Sequence, residues 1–448
     1  MSEIIDCSQR IEPNWNWNST SFISQAYNNN DQFQEFGLKW YGTGFSYVTA
    51  PKWIDNKLLN FDDLDLSLFC GNSIIIEIPQ NQKIDKKFLE EKLNSYKDDN
   101  IHICIFATNH SKKFTIKDFN YWTKCPLIEN DIIETFKKFE IKHLVIDFNC
   151  ETVISKKDRE KNDFINPNED FKIKLLQNNI ILTENFVSNH KNKKSFYIGL
   201  PLSIPKGSTS PCRPILIDSW FNKNGKIIDV ATPLFNHWRW KLEIWENQYL
   251  NYKGDKRFES NFIFSGHGFN HCDAPIHMNR DGKKIQELPN EGLDIFINEA
   301  NIVDLSQMDL PFKISREMIE NSLKDKNKKK LIILRSDLTN KVGYESKEWH
   351  LKAPYLDLDA ANCIVENKFI SVCLDFPQDY IAREMPKRMV YNKEFEIHHK
   401  IFDNGITFIE DLMNLGNISG NDTQICAVPL KMDCFDGAPM RTVAIDWY

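Results

Sequence analysis

The sequence predicts an α/β protein built from two copies of one unit. Short apolar runs of strand length alternate with amphipathic, helix-like stretches, and a series of blocks recurs in the same order about 225 residues further along. Ile5-Asp6-Cys7 followed by Trp15-Asn16-Trp17 answers to Ile228-Asp229-Val230 followed by Trp238-Arg239-Trp240. Gly42-Thr43-Gly44-Phe45 and Ala50-Pro51 answer to Gly266-His267-Gly268-Phe269 and Ala274-Pro275. Asp147-Phe148 matches Asp375-Phe376, and Leu200-Pro201-Leu202 with Arg213 matches Val428-Pro429-Leu430 with Arg441. Chance similarity would not keep so many blocks collinear. The repeats set two domains, 1–218 and 227–448, joined by a linker at 219–226.

Individual elements follow from local pattern. Ile74 to Ile78, Asn301 to Leu305 and Leu331 to Arg335 are short apolar runs that fit buried strands. Asp131 to Phe136 has helical amphipathicity and leads to a strand at Leu144. Lys400-Ile401-Phe402 belongs to a helix that Gly405 ends, before a strand at Thr407-Phe408-Ile409. Residues 324 to 330, rich in lysine, fit a solvated helix end or loop, and residues 28–30 and 156–170 fit polar loops.

Composition narrows the class of function. The chain has 448 residues, 41% hydrophobic and 27% charged, which is ordinary for a globular protein. Its 56 basic against 63 acidic residues leave a net charge of −7, which argues against a nucleic-acid binder. No apolar run is long enough for a membrane helix, and the N-terminus shows no secretory pattern. Eleven cysteines without a Cys-x-x-Cys pair fit reduced thiols. The expectation is a cytoplasmic protein with a small-molecule substrate and neither nucleic acid nor membrane as partner.

The chemistry concentrates at Gly266-His267-Gly268-Phe269-Asn270-His271-Cys272-Asp273-Ala274-Pro275-Ile276-His277. Neutral imidazoles and a carboxylate are ligand types preferred by zinc and its neighbours. His271 and Asp273 are two apart, so an extended backbone points both to one face. Gly266 and Gly268 let the chain bend to bring His267 towards the same point. Cys272, in alternating orientation, is expected to be a small buried side chain. A second group, His398-His399 with Glu410, offers room for further ligands.

The stretch His267-x3-His271-x-Asp273-Ala274-Pro275-x-His277 resembles the signature of the metal-dependent cyclase family, which includes kynurenine formamidases, isatin hydrolases and proteins called polyketide cyclases. The resemblance spans the second repeat, from Asp229 through Asp281-Gly282-Lys283-Lys284, His398-His399 and Glu410 to Asp436-Gly437-Ala438-Pro439. One departure stands out: Phe269-Asn270 occupies a place where family members commonly have Gly-Thr. The resemblance implies metal ligation by His267, His271 and Asp273, with Asp273 bridging two positions where the site is binuclear and His398 and Glu410 completing the second. It implies His277 as the proton-transfer residue and Trp240 in the substrate pocket. It implies an α/β unit with a central mixed sheet or β-barrel-like core and flanking helices, usually dimerised. Two fused copies would form an intramolecular pseudo-dimer, with further homo-oligomerisation open. The implied cofactor is zinc or manganese, one or two ions per chain. The leading expectation is a metal-dependent hydrolase of an aryl formamide or cyclic amide; a cyclase or dehydratase, or a non-catalytic binding protein, are the alternatives.

At the matching positions the first repeat has Thr43, Tyr47, Thr49 and Trp53, with Lys172 in place of His398 and only Glu184 retained. It is expected to be a catalytically dead copy in which Lys172 gives Glu184 a positive partner. Trp15, Trp17, Trp40, Tyr41 and Tyr47 are its candidates for a pocket wall, with core packing as the competing reading.

Overall fold

The computed structural model describes residues 3–12, 20–26, 34–97, 99–152, 165–187, 190, 192–240, 242–251, 253–279, 281–419, 422–433 and 436–448. Trp15 and Trp17 lie outside them. The chain forms two compact units. The first comprises Met1–Thr20, Trp40–Lys223 and Ile244–Phe262; the second comprises Ser21–Lys39, Asn224–Glu243 and Ile263–Tyr448. Residues 244–262 and 21–39 thus fall with the unit opposite to the one that the repeat boundaries assign them. Gly225 and Lys226, placed in the linker by sequence, already pair with Trp447 and Asp446 in a strand.

Each unit contains a nine-stranded mixed sheet, and the two sheets are wired alike. In the first unit the order is Ile5–Asp6, Ile215–Ile217, Lys194–Ile198, Cys70–Glu77, Ile103–Ala107, His143–Ile146, Ile181–Glu184, Tyr47–Thr49, Thr209–Pro211. In the second it is Gly225–Asp229, Thr442–Trp447, Thr423–Ala427, Ile297–Asp304, Leu331–Arg335, Ser371–Leu374, Thr407–Glu410, His271–Asp273, Gly437–Pro439. Four parallel strands form the middle of each sheet, and antiparallel strands flank them. The expected mixed sheet is therefore present.

The parallel strands are apolar throughout because both of their faces are covered. Along Cys70–Glu77, Ile74 and Ile76 pack with Leu89, Leu93, Ile132 and Phe136 of the helices, whereas Ile75 packs on the other face with Ile105, Val145 and Tyr197. The strands and helices expected near Ile74, Asn301, Leu331, Leu144, Asp131, Lys400 and Thr407 are all found, within a few residues of their limits. Of the polar loop expected at 156–170, residues 156–164 lie outside the described residues, and the end is a correction. A helix runs Asn168–Gln177, with Asn168, Glu169, Phe171 and Lys172 all buried, so the polar surface of its first turn concealed an inward-facing element.

The recurring blocks now have physical roles. Asp147 and Asp375 end equivalent strands and tie down the loop after the neighbouring strand. Asp147 accepts from the backbone N–H of Thr108 (3.0 Å) and His110 (3.2 Å), and Asp375 from those of Ser336 (3.0 Å) and Asp337 (2.7 Å). Arg213 pairs with Asp6 at 2.8 Å and Arg441 with Asp229 at 2.6 Å, each clamping the first strand of its sheet. None of the ten described cysteines forms a disulfide. Among the described residues no helix is long and apolar enough to cross a membrane.

His143 makes the first sheet sensitive to acid. It is fully buried, and its two ring nitrogens lie 2.8 Å from Leu68 O and 2.8 Å from Thr183 Oγ1. Burial pushes the imidazole down from 6.5 to about 3. Between those values the unfolded chain takes up a proton that the folded chain refuses, so stability falls as pH drops through this window. Denaturant unfolding of His143→Gln should show a shallower loss of stability between pH 6.5 and about 3 than the parent chain.

Candidate metal centre

In the second unit the short strand His271–Asp273 lies between Thr407–Glu410 and Gly437–Pro439. Its register sets His271 directly opposite Glu410 and Asp273 opposite Gly437. The preceding turn passes through left-handed backbone at Gly268 (φ 106°) and Phe269 (φ 55°). Glycine tolerates this readily; phenylalanine does so against its steric preference. Phe45, at the equivalent place in the first unit, has φ 56°. Phe269, part of the Phe269-Asn270 departure, thus adopts the same left-handed backbone as its counterpart in the first unit. Tyr344 steadies it: its Oη accepts from the N–H of Phe269 at 2.8 Å and donates to Asp411 at 2.5 Å.

That turn gathers the candidate ligands. Asp273 Oδ1 is 2.8 Å from His267 Nδ1 and 3.1 Å from His271 Nε2. Glu410 reaches within 3.6 Å of His271 Nε2 with one oxygen and within 3.7 Å of His398 Nε2 with the other. His267, Asp273 and His277 form one group with donor atoms close enough to share an ion, and His271, Asp273 and Glu410 form another. Asp273 belongs to both, as a bridging ligand would.

Further carboxylates and carbonyls hold the rings from behind. His271 Nδ1 donates to Phe269 O at 2.9 Å, leaving Nε2 for the cluster. Asp379 lies 2.6 Å from His398 Nδ1 and also accepts from the N–H of Ile397 at 2.7 Å, so one carboxylate fixes both the ring and the start of its helix. Asp436 Oδ2 is 2.7 Å from His267 Nε2 and 3.1 Å from His277 Nδ1, and those two rings stack at 3.9 Å. Gly437 allows this: a Cβ there would lie 2.7 Å from the His267 ring.

The electrostatics call for a cation. Asp273, Asp379, Glu410 and Asp411 are ion-paired only with histidines among the described residues. Burial opposes charging His271, but Asp273, Asp411 and Glu410 overcome it and lift the imidazole to about 9. Burial pushes Asp411 up to about 7. His267 and His277 overcome the burial of Asp436 and hold it at about 2. His277 goes the other way: burial and the neighbouring His267 lower it to about 4, so it is neutral at neutral pH. This set of imidazoles and carboxylates fits a divalent ion, which would hold the histidines deprotonated and balance the carboxylates.

All seven residues singled out from the sequence (His267, His271, Asp273, His277, His398, Glu410 and Trp240) line one pocket of about 580 Å³, open mouth included. Trp240 donates from Nε1 to Tyr344 Oη at 2.8 Å and packs on Gly268, where a Cβ would meet its ring at 2.4 Å. Cys272 is fully buried, with its thiol towards Ala438 O. Sequence reasoning missed Asp379, Asp436, Gln378, Tyr344, Arg239 and His350. Asp436 carried a signal as the head of the Asp-Gly-Ala-Pro block, and Arg239 as the centre of the Trp-Arg-Trp block; the others carried none.

The equivalent place in the first unit has been rebuilt around an ion pair. Lys172 Nζ is 2.6 Å from Glu184 Oε2 and 3.6 Å from Glu151 Oε1, and it lies 4.3 Å from the centre of the Trp53 ring. Lys172 and Glu184 are both fully buried. Tyr47 Oη is 2.6 Å from Glu184 and 3.0 Å from Glu151, and Thr43 donates to Glu151 at 2.8 Å. Glu151 itself is pushed up by burial. The partner expected for Glu184 is in place, and neither group is solvated.

The fold and this site define an α/β protein with two mixed sheets, one of which carries a histidine–carboxylate centre of metal-binding type. Residues 202–378 match the family described as "Putative cyclase". The chain is 24% identical over 225 residues to a kynurenine formamidase of Bacillus cereus, covering 49% of this chain and 98% of that protein. It is 27% identical over 177 residues to a kynurenine formamidase of Bacillus mycoides, covering 40% and 75%. Among solved structures, isatin hydrolase A from Labrenzia aggregata aligns at 18% identity and a TM-score of 0.42, over 50% of this chain and 94% of that one. The resemblance to the metal-dependent cyclase family is borne out.

Three outcomes are expected. Elemental analysis should find one or two divalent ions per chain, and Asp273→Ala should lose them. Because His271 must give up a proton held to about 9 in the metal-free pocket, titration calorimetry should show proton release on metal binding and affinity that weakens as pH falls below that value. In the first unit, Lys172→Met strands Glu184 without its counter-ion, and should lower unfolding stability by about 3–5 kcal/mol, with part recovered in Lys172→Met/Glu184→Gln.

Proposed function

We propose that this protein is a metal-dependent hydrolase of an amide, either an aryl formamide or a cyclic amide. The observation that carries the reading is the convergence of His267, His271, Asp273, His398 and Glu410 on one pocket with a neutral histidine, His277, in its wall. When bound, a divalent ion (zinc or manganese) supplies Lewis acidity: it polarises a carbonyl and lets water ionise near neutral pH.

The remaining work falls to this chain's side chains. His277 stands in the His267–Asp273 group, but in this reading it is not a ligand: Asp436 holds its Nδ1, 3.1 Å away, which leaves Nε2 to take a proton from the attacking water and return it to the departing amine. Its low proton affinity favours the return step. The Asp436 carboxylate stabilises the imidazolium while it exists. Trp240 and Trp349 give the pocket an apolar wall suited to an aromatic ring. The names of the bacilli's formamidases and of the isatin hydrolase support an amide as the bond cleaved.

The first unit, with Lys172 where a ligand would be, is proposed to have no hydrolytic role. The two units are proposed to serve as the intramolecular counterpart of a dimer, an arrangement suggested by their matching sheet order.

The test is hydrolysis of N-formylkynurenine and isatin by protein loaded with zinc or with manganese. Turnover of either, abolished by chelation and restored by metal, is the expected result; inertness towards both and towards simple aryl formamides would overturn the proposal. His277→Ala should keep its metal and lose roughly a hundred- to ten-thousand-fold in turnover. Unchanged turnover would remove His277 from the proton path.

A further inference from the structure

The pocket contains more polar equipment than hydrolysis needs. Its lining includes one permanent cation, Arg239. Arginine is costly to place against an apolar wall unless its charge is used. Here the guanidinium stacks 4.5 Å from the centre of the Trp240 ring, and its Nε is buried without a hydrogen-bond partner. Among the described residues no carboxylate pairs with it, although Asp273, Asp379, Glu410 and Asp411 line the same pocket. Those four are taken up by the histidines and Tyr344.

A second unused group lies beside it. His350 is 3% exposed, lines the pocket, and its Nδ1 has no hydrogen-bond partner. Burial and the nearby Arg239 lower it to about 3, so the ring is neutral and Nδ1 can donate without adding a second charge. Gln378 supplies the opposite polarity. Its Nε2 donates to Glu410 at 2.8 Å, while its Oε1 is buried in the pocket with no donor. Unused donors therefore sit on the Arg239–His350 side of the pocket, and an unused acceptor sits beside Glu410.

We propose that Arg239, assisted by His350, is the specificity-determining anchor for substrates that carry a carboxylate beside the scissile amide. The carboxylate meets the guanidinium, whose planar fork matches it, and Trp240 orients that fork by stacking. Gln378 Oε1 accepts the amide N–H, which turns the carbonyl towards the ligand cluster. This assignment rests on the amide-hydrolase reading for its substrate class, but the anion site itself can be tested without turnover.

The experiment has a binding arm and a kinetic arm, both on the metal-loaded full chain. Calorimetry compares benzoate with benzamide, a neutral molecule of nearly the same shape. Benzoate should bind roughly ten- to a hundredfold tighter, and Arg239→Gln should remove that preference while Arg239→Lys keeps part of it. Parent protein that binds the two equally overturns the proposal without any variant. Equal loss of neither, with benzoate still preferred by a metal-loaded Arg239→Gln, also overturns it, because the anion is then held by the metal. The kinetic arm compares 2-formamidobenzoate with formanilide. The ratio of their kcat/KM values should fall by a similar factor in Arg239→Gln, mainly through KM. Preferential benzoate binding that depends on Arg239, with no turnover of either formamide, would support the anchor and remove the aryl-formamide half of the hydrolase reading instead.

Discussion

The structure of the site depends on one backbone pairing: three residues, His271–Asp273, hydrogen-bonded between two strands that come from distant parts of the chain. The register of that pairing puts His271 across from Glu410, and the alternation of a strand then puts Asp273 on the same face with Cys272 turned into the core. A slip of one residue would bury both candidate ligands and present a thiol. Asn270 guards against such a slip, since its Oδ1 accepts from the N–H of Thr442 at 2.7 Å and its Nδ2 donates to Glu410 O at 3.1 Å. The site is thus rigid because its main chain is pinned on both edges.

The same register exists in the first unit, where Tyr47 stands opposite Glu184. There the same scaffold carries a different set of side chains. What persists in both units are the groups that hold the sheet together: the Asp-Arg clamps at Asp6–Arg213 and Asp229–Arg441, the loop-tethering Asp147 and Asp375, and the left-handed turn at Phe45 and Phe269. Fold and chemistry therefore separate cleanly along the sequence, and the repeats are recognisable because the first set is constrained by geometry alone.

Much of this was legible from the chain. Buried parallel strands such as Leu331–Arg335 are continuous apolar runs, and a cluster of three histidines and an aspartate has few other uses. What was not legible depended on separation. Asp436 acts on His277 across 159 residues, and Asp379 on His398 across 19, through contacts that no local period encodes. The helix Asn168–Gln177 hid because its buried residues include Asn168, Glu169 and Lys172, polar side chains that are inside only because partners wait for them. Arg239 was visible within its Trp-Arg-Trp block, but only the pocket shows that its charge faces no carboxylate of its own. The assignment of residues 244–262 to the first unit is likewise a product of tertiary contacts, which a repeat boundary drawn from aligned blocks has no means to register.

Lys172 has a consequence for what the first unit can become. A buried glutamate needs a positive charge beside it, and the Lys172 ammonium group sits within 2.6 Å of Glu184. Once such a lysine is installed, restoring any one ligand in that half brings no benefit, because the fixed charge repels an arriving ion and the remaining ligands are still missing. Removing the lysine first leaves the glutamate stranded. Each single substitution towards a metal site there is uphill, so the lysine holds the first unit in its present chemistry.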